Sequence, residues 1–184
     1  LLSDVEYMTR QVQQLLLLAE ASEAHNYQFS VVRMHDIAHE ASTYLQRLAE
    51  SADVHLTVLA ADDKVTWKAD RGACFTLLKN LLENAIQHAP EQTLVSMEIQ
   101  ENRITVRDRG PGVEPEQLPL LLSRFWRGAH RRDHGAGLGL AICHEIAMAH
   151  GWTLTAHNAK PGLIMTLCKK NEASEGDFRG NTNS

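Results

Sequence analysis

The chain has 184 residues, 43% hydrophobic, 22% charged and 5% aromatic, with a formal net charge of −5. This is enough apolar material for one sizeable core with appendages. An acidic balance with no basic stripe and no interleaved aromatics excludes nucleic acid as an expected partner, since neither phosphate tracking nor base stacking has residues to serve it. No apolar run reaches the length of a membrane span and no secretory leader is visible, so a cytoplasmic piece without membrane contact of its own is expected.

In chain order, Leu1, Val5, Met8, Val12, Leu15 and Ala19 alternate spacings of four and three, the seam of a helix packed in a bundle, with Gln11, Gln13 and Gln14 off the seam. Glu23 to Ser30 is a polar connector and the best hinge candidate. An amphipathic helix is expected over residues 35–52, a strand over 54–60 and a short strand over Val65 to Trp67, with Asp70 placed to cap the long helix that follows. Within that helix, LLKNLLENAIQHA at 77–89 buries Leu77, Leu78, Leu81, Leu82, Ala85 and Ile86. Asn80, Asn84 and His88 recur every fourth residue, flanked by Glu83 and Gln87. Neutral amides where a solvated face would carry charge suit a hard cation that keeps waters and takes its other ligands from phosphates, which makes Asn84 a magnesium ligand in this reading.

Thr93 to Gln100 and Arg103 to Arg107 read as an antiparallel pair joined at Glu101-Asn102. Asp108 ends the second strand and opens DRGPGV, where Gly110 and Gly112 permit a sharp turn. GAGLGL, Gly135 to Leu140, runs into the helical stretch LAICHEIAMAH, and a glycine segment feeding a helix N-terminus favours a phosphate. Strands over Trp152 to His157 and Leu163 to Cys168 close the sheet, and the polar tail after Lys170 reads as disordered. Cys74, Cys143 and Cys168 lack metal or redox spacing and read as small buried hydrophobes. Singly, each glycine stretch is compatible with an ordinary turn and each asparagine with a surface amide; together they describe a nucleotide site.

The order NLLENA, DRGPG, RFWRG, GAGLGL resembles the N, G1, F and G2 boxes of the sensor histidine kinases. The likeness spans 31–170 and implies an α+β fold, the two-layer Bergerat sandwich shared with gyrase, Hsp90 and MutL, in which helices cover one face of a mixed sheet. It further implies that residues 1–22 are the remainder of the second helix of a dimerising hairpin, 23–30 a linker, 31–170 the catalytic ATP-binding domain and 171–184 a tail. ATP and magnesium are the implied cofactors. Asn84 holds the magnesium and Asn80 supports it, His88 points towards the nucleotide, Asp108 accepts the adenine amine, and Gly110 and Gly112 let the backbone pass the base. Gly135, Gly137, Leu138 and Gly139 contact phosphates from a lid that Phe125 and Arg127 anchor and close; Asn80, Asn84 and Arg127 form the implied catalytic set. The implied function is transfer of the ATP γ-phosphoryl to a histidine and on to an aspartate of a response regulator, with a second copy of the chain as the other partner and a parent protein in the bacterial inner membrane.

The chain departs from that pattern at Gln87, where many relatives carry lysine, a charge that Arg131 or Arg132 in the lid would have to supply. Pro161-Gly162-Leu163 is a sparse last glycine box, and Thr166 beyond it is a marginal candidate for a water-mediated adenine contact. No acceptor motif precedes the boxes; His35-Asp36 and His39-Glu40 fall where relatives have the first helix of the ATP-binding domain. Two further readings are a gyrase-type ATPase module, against which Asn80 stands where those enzymes carry an acidic base, and a degenerate regulatory domain, which Gln87 and the sparse last box favour.

Overall fold

The computed structural model describes residues 2–22, 26–122 and 138–170. Its central helix, α4 (Arg71–His88), begins where the Asp70 carboxylate accepts the Ala73 N–H at 2.9 Å and ends at Ala89, the residue before Pro90, which proline drives out of helical geometry. Cys74, Leu77, Leu78, Leu81, Leu82, Ala85 and Ile86 are all buried, so α4 is enclosed by its neighbours α2 (Met34–Tyr44) and α5 (Gly139–Ala149) and by the sheet beneath.

That sheet runs β2 (His55–Ala60), β4 (Leu94–Ile99), β5 (Arg103–Arg107), β7 (Leu163–Cys168), β6 (Thr153–Asn158) in spatial order. β2 is parallel to β4 and the other neighbours are antiparallel. Side chains alternate between faces along a strand. Val95, Met97, Ile99, Ile104, Val106, Leu154, Leu163, Met165 and Leu167 are buried beneath the helices, and Thr57, Ser96, Thr105, Thr166 and Thr155 line the opposite face. One helical layer on one face of a mixed sheet is the expected two-layer α+β arrangement.

Two elements differ from the sequence reading. The helix expected over 35–52 is two, α2 and α3 (Gln46–Ser51), because the Leu45 N–H is shared between the Ala41 and Ser42 carbonyls at 3.1 and 3.2 Å, tightening the turn as Leu45 enters the core. Neither glycine nor proline marks that break, so hydrophobic periodicity runs straight through it. An unforeseen strand, β1 (Ser30–Arg33), pairs antiparallel with β3 (Thr66–Ala69), Val32 facing Trp67, in a separate two-stranded sheet. Of its four residues only Val32 is buried, which is too short an alternation to recognise.

Helix α1 (Leu2–Ser22) lies on α5. Leu18 and Ala21 are buried, and Tyr7, Gln11 and Gln14 continue their stripe, so two of the three glutamines off the seam fall on the inward side while Gln13 is exposed. The seam faces out: Val5, Met8, Val12 and Leu15 are 62%, 65%, 54% and 45% exposed. Among the described residues no helix is long and apolar enough to cross a membrane.

Leu78, fully buried in α4, and Met148, 61% exposed on α5, calibrate this packing. Leu78→Ala is expected to cost about 2–5 kcal/mol in urea unfolding and Met148→Ala less than about 0.5 kcal/mol; equal losses would contradict the placement of α4 at the centre.

Candidate functional site

Where α4 meets the ends of β5 and β7, polar groups enter the core. Among the described residues Asn80 and Asp108 are the buried polar ones, each 3% exposed. A buried polar group is costly without a partner, and the Asn80 Nδ2 has none among the described residues. One turn on, Asn84 is half-buried; a further turn brings His88. The His88 Nδ1 lies 2.6 Å from the Asn84 carbonyl oxygen. A carbonyl can only accept, so Nδ1 carries a proton and donates to it.

Asp108 follows β5 in the phase of Ile104 and Val106, which turns its side chain towards the helices. Its N–H donates to the Leu163 carbonyl at 3.1 Å and its Oδ1 accepts the Gly110 N–H at 2.8 Å, while no described residue bonds Oδ2. Burial pushes its carboxyl above the usual carboxylate range, opposed by the Gly110 N–H, His88, the Leu163 contact and Arg107. A largely buried carboxylate with one oxygen uncommitted among the described residues is a strong acceptor for a ligand amine.

Two glycines make this placement possible. A Cβ on Gly110 would run into the His88 carbonyl, so only glycine lets the loop lie against the end of α4. Gly162, at φ +104°, is as demanding, because a Cβ there would strike the Asp108 carbonyl. The sparse last glycine box is therefore the second wall of the Asp108 seat. Gly112 rests against Asn158, a residue the sequence reading missed. At the end of β6, Asn158 accepts the Val113 N–H at 2.9 Å and donates to the Val113 carbonyl at 2.5 Å, pinning the far end of the loop. A lone asparagine before a proline-glycine turn was its only signal.

On the other side of α4, Leu138 and Leu140 are buried and fix the start of α5, whose N-terminus has no side-chain cap among the described residues. Its first amides are thus available to an anion. Gly139 heads the helix, and a Cβ there would meet no described atom within 4 Å, so packing does not demand a glycine at this point. Phe125, Arg127, Gly135 and Gly137, with Arg131 and Arg132, lie outside the described residues. Thr166 shares the far face of the sheet with Ile164 and Cys168 and does not join the site. Among the described residues no cluster of three or more His, Cys, Asp or Glu could hold a metal, and the amides of Asn80 and Asn84 stand one turn apart on α4.

The profile of the histidine kinase-, DNA gyrase B- and HSP90-like ATPases matches residues 69–174. The chain is 33% identical over 163 residues to the sensor protein QseC of Escherichia coli, covering 87% of this chain and 36% of that protein. It is 32% identical over 177 residues to the sensor histidine kinase TrcS of Mycobacterium tuberculosis, covering 90% and 34%. It thus spans about a third of the length of these relatives. In fold it resembles the Acinetobacter baumannii histidine kinase AdeS, with a TM-score of 0.72 at 20% identity over 92% of this chain and 82% of that one.

Because the carboxyl of Asp108 is raised in the fold, its burial penalty is absent while the group is protonated and appears as pH rises through the folded value. Asp108→Asn is therefore expected to raise the melting temperature more at neutral pH than at about pH 4, near the ordinary carboxylate value. A loss of stability that is larger at neutral pH would show that the charged form is favoured by the fold instead.

Proposed function

Since the chain belongs to the histidine kinase-, DNA gyrase B- and HSP90-like ATPase family, we propose that the cleft between α4, the Asp108 loop and the N-terminus of α5 binds ATP with magnesium as the catalytic part of a sensor histidine kinase. The observation that carries this reading is the buried Asp108 with its uncommitted Oδ2, an acceptor suited to the exocyclic amine of adenine. Gly110 keeps the loop low enough for the base to enter, and His88, one turn after Asn84, would stand towards the nucleotide. Asn84 would hold the magnesium through its amide oxygen. The orphaned Nδ2 of Asn80 fits a donor to the ion's water or to a phosphate oxygen. Bound there, magnesium neutralises phosphate charge. Gly135, Gly137, Leu138 and Gly139 would present amides to the phosphates at the head of α5, with Phe125 and Arg127 closing the lid and Arg127 offsetting transition-state charge.

Phosphoryl transfer needs positioning and electrostatic cover more than covalent help. The phosphoryl group would pass to a histidine of the dimerising hairpin to which α1 belongs, and then to an aspartate of a response regulator. The outward seam Val5, Met8, Val12 and Leu15 supports pairing of α1 with bundle helices of a second copy. His35 and His39 are poor acceptors, because they stand on α2, the helix packed beside the one that carries Asn80 and Asn84, and not on a bundle helix. The parent protein would be anchored in the bacterial inner membrane with this part in the cytoplasm. A gyrase-like ATPase is disfavoured, since Asn80 offers no acidic general base one turn before Asn84.

Asn84→Ala should leave far-ultraviolet circular dichroism unchanged and abolish the gain in ATP affinity on adding magnesium, at least about tenfold for a lost charge-assisted contact. An undiminished magnesium effect in the variant would remove Asn84 from the metal site.

A further inference from the structure

A second cluster, on none of the surfaces described above, joins α1 to the ATP-binding core. Tyr27, Phe29, His150, Trp152 and Trp67 form one run of rings: Tyr27 and Phe29 lie 5.3 and 5.0 Å from His150, which lies 4.3 Å from Trp152, itself 5.1 Å from Trp67. His150 sits at the C-terminus of α5 with both nitrogens engaged. Nδ1 is 2.7 Å from the Ile146 carbonyl and so carries the proton, and Nε2 accepts the Asp70 N–H at 3.0 Å. Asp70 then branches. Its Oδ1 caps α4 through the Ala73 N–H, and its Oδ2 takes the Gln28 N–H of the connector at 2.9 Å. Tyr27 closes the circuit by donating to the Ala21 carbonyl in the last turn of α1 at 2.9 Å.

We infer that His150 and Asp70 are positioning residues that set the direction in which α1 leaves the ATP-binding core, and that they hold it only while the imidazole is neutral. The consequence for phosphotransfer rests on the proposed reading of α1 as part of the dimerising hairpin, since that direction decides whether the cleft reaches the acceptor. An imidazolium has no lone pair, so on protonation Nε2 becomes a donor facing the Asp70 N–H and the two repel. The anion nearest to hand is the Asp70 carboxylate, and a ring that turns to it competes with Gln28 and Ala73 for the same oxygens. A cavity of about 340 Å³ bordered by Leu17, Ala21, Tyr27, Asp70, Ile142 and Ile146 gives the seat room to rearrange.

The titratable groups around the ring are Tyr27 from the connector and Asp70 from the β3–α4 junction, with Glu145 of α5 acting on Tyr27; Phe29 and Trp152 bring no charge. Burial holds His150 below its ordinary 6.5, against the Ile146 carbonyl and Asp70, which favour the charged form. With a depressed folded value, the stability this histidine lends is fully present above 6.5 and is lost as pH falls through the folded value.

Nuclear magnetic resonance titration of the whole chain without nucleotide, from neutral pH to about pH 5, tests the inference independently of ATP binding. His150 should show the Nδ1–H tautomer and titrate below 6.5, with the Gln28 and Ala73 amides and the Leu18 methyls moving at the same midpoint. In His150→Phe, which keeps a packed ring and removes the acceptor, those signals should lie displaced at neutral pH and lose that midpoint, with ATP affinity unchanged. If that variant does not fold, the unsubstituted titration decides alone. A His150 that stays neutral throughout, or that titrates while Gln28 and Leu18 stay still, overturns the inference; loss of ATP binding with the titration intact would count only against the nucleotide reading.

Discussion

Everything at the candidate site depends on holding one carboxylate inside the fold. Asp108 lies at the end of β5 in the phase that faces the helices, and it remains there because neighbouring backbone leaves it no alternative. Its N–H is taken by β7 at Leu163, its Oδ1 by Gly110, and its two walls are the His88 and Gly162 backbones, each approached so closely that a side chain on the facing glycine has no room. Burying an unpaired charge costs more than a single hydrogen bond returns. The raised carboxyl of Asp108 is the signature of that cost, and it is offset when a ligand supplies the missing donor.

The same logic explains the position of the amides. Asn80 and Asn84 stand one turn apart on α4, whose backbone is fixed by its buried leucines, so that only their side chains remain adaptable. Rigidity of α4 is thereby transmitted to the site without any residue of the site having to stabilise the fold. At the other boundary, Leu138 and Leu140 moor the first turn of α5 to the core, and no described side chain caps its amides. The candidate site occupies the edges of packed elements, with a pinned loop in between.

How far the sequence foretold this differs from residue to residue. The extent of α4, its cap at Asp70 and its polar triplet follow from 3.6-residue periodicity and local capping chemistry, both of which are short-range. The pair β4 and β5 and the end of β5 at Asp108 follow from alternation broken by a glycine-rich turn. What stayed hidden is long-range. Asn158 acts on Val113, 45 positions away, and the demand on Gly162 comes from the backbone of Asp108. Thr166 could be placed on a strand, but only its pairing with Thr105 and Thr155 shows that it faces away from the helices. In α1 the seam was legible and the inward stripe of Tyr7, Gln11, Gln14, Leu18 and Ala21 was not, because two of those residues are glutamines. The connector likewise reads as polar in sequence, although its final residues are bound down by Asp70 and His150, partners 42 or more positions distant.

The central claim is that Asp108 reads a base amine at the closed end of the cleft. Calorimetric titration of the unmodified chain with non-hydrolysable ATP and GTP analogues, in magnesium, tests it most directly. Guanine carries a carbonyl where adenine carries its amine, and that oxygen would face the carboxylate. The adenine analogue is expected to bind with the guanine analogue weaker by at least about tenfold, the worth of one charge-assisted hydrogen bond; equal affinities for the two, or tighter binding of the guanine analogue, would remove Asp108 from base recognition.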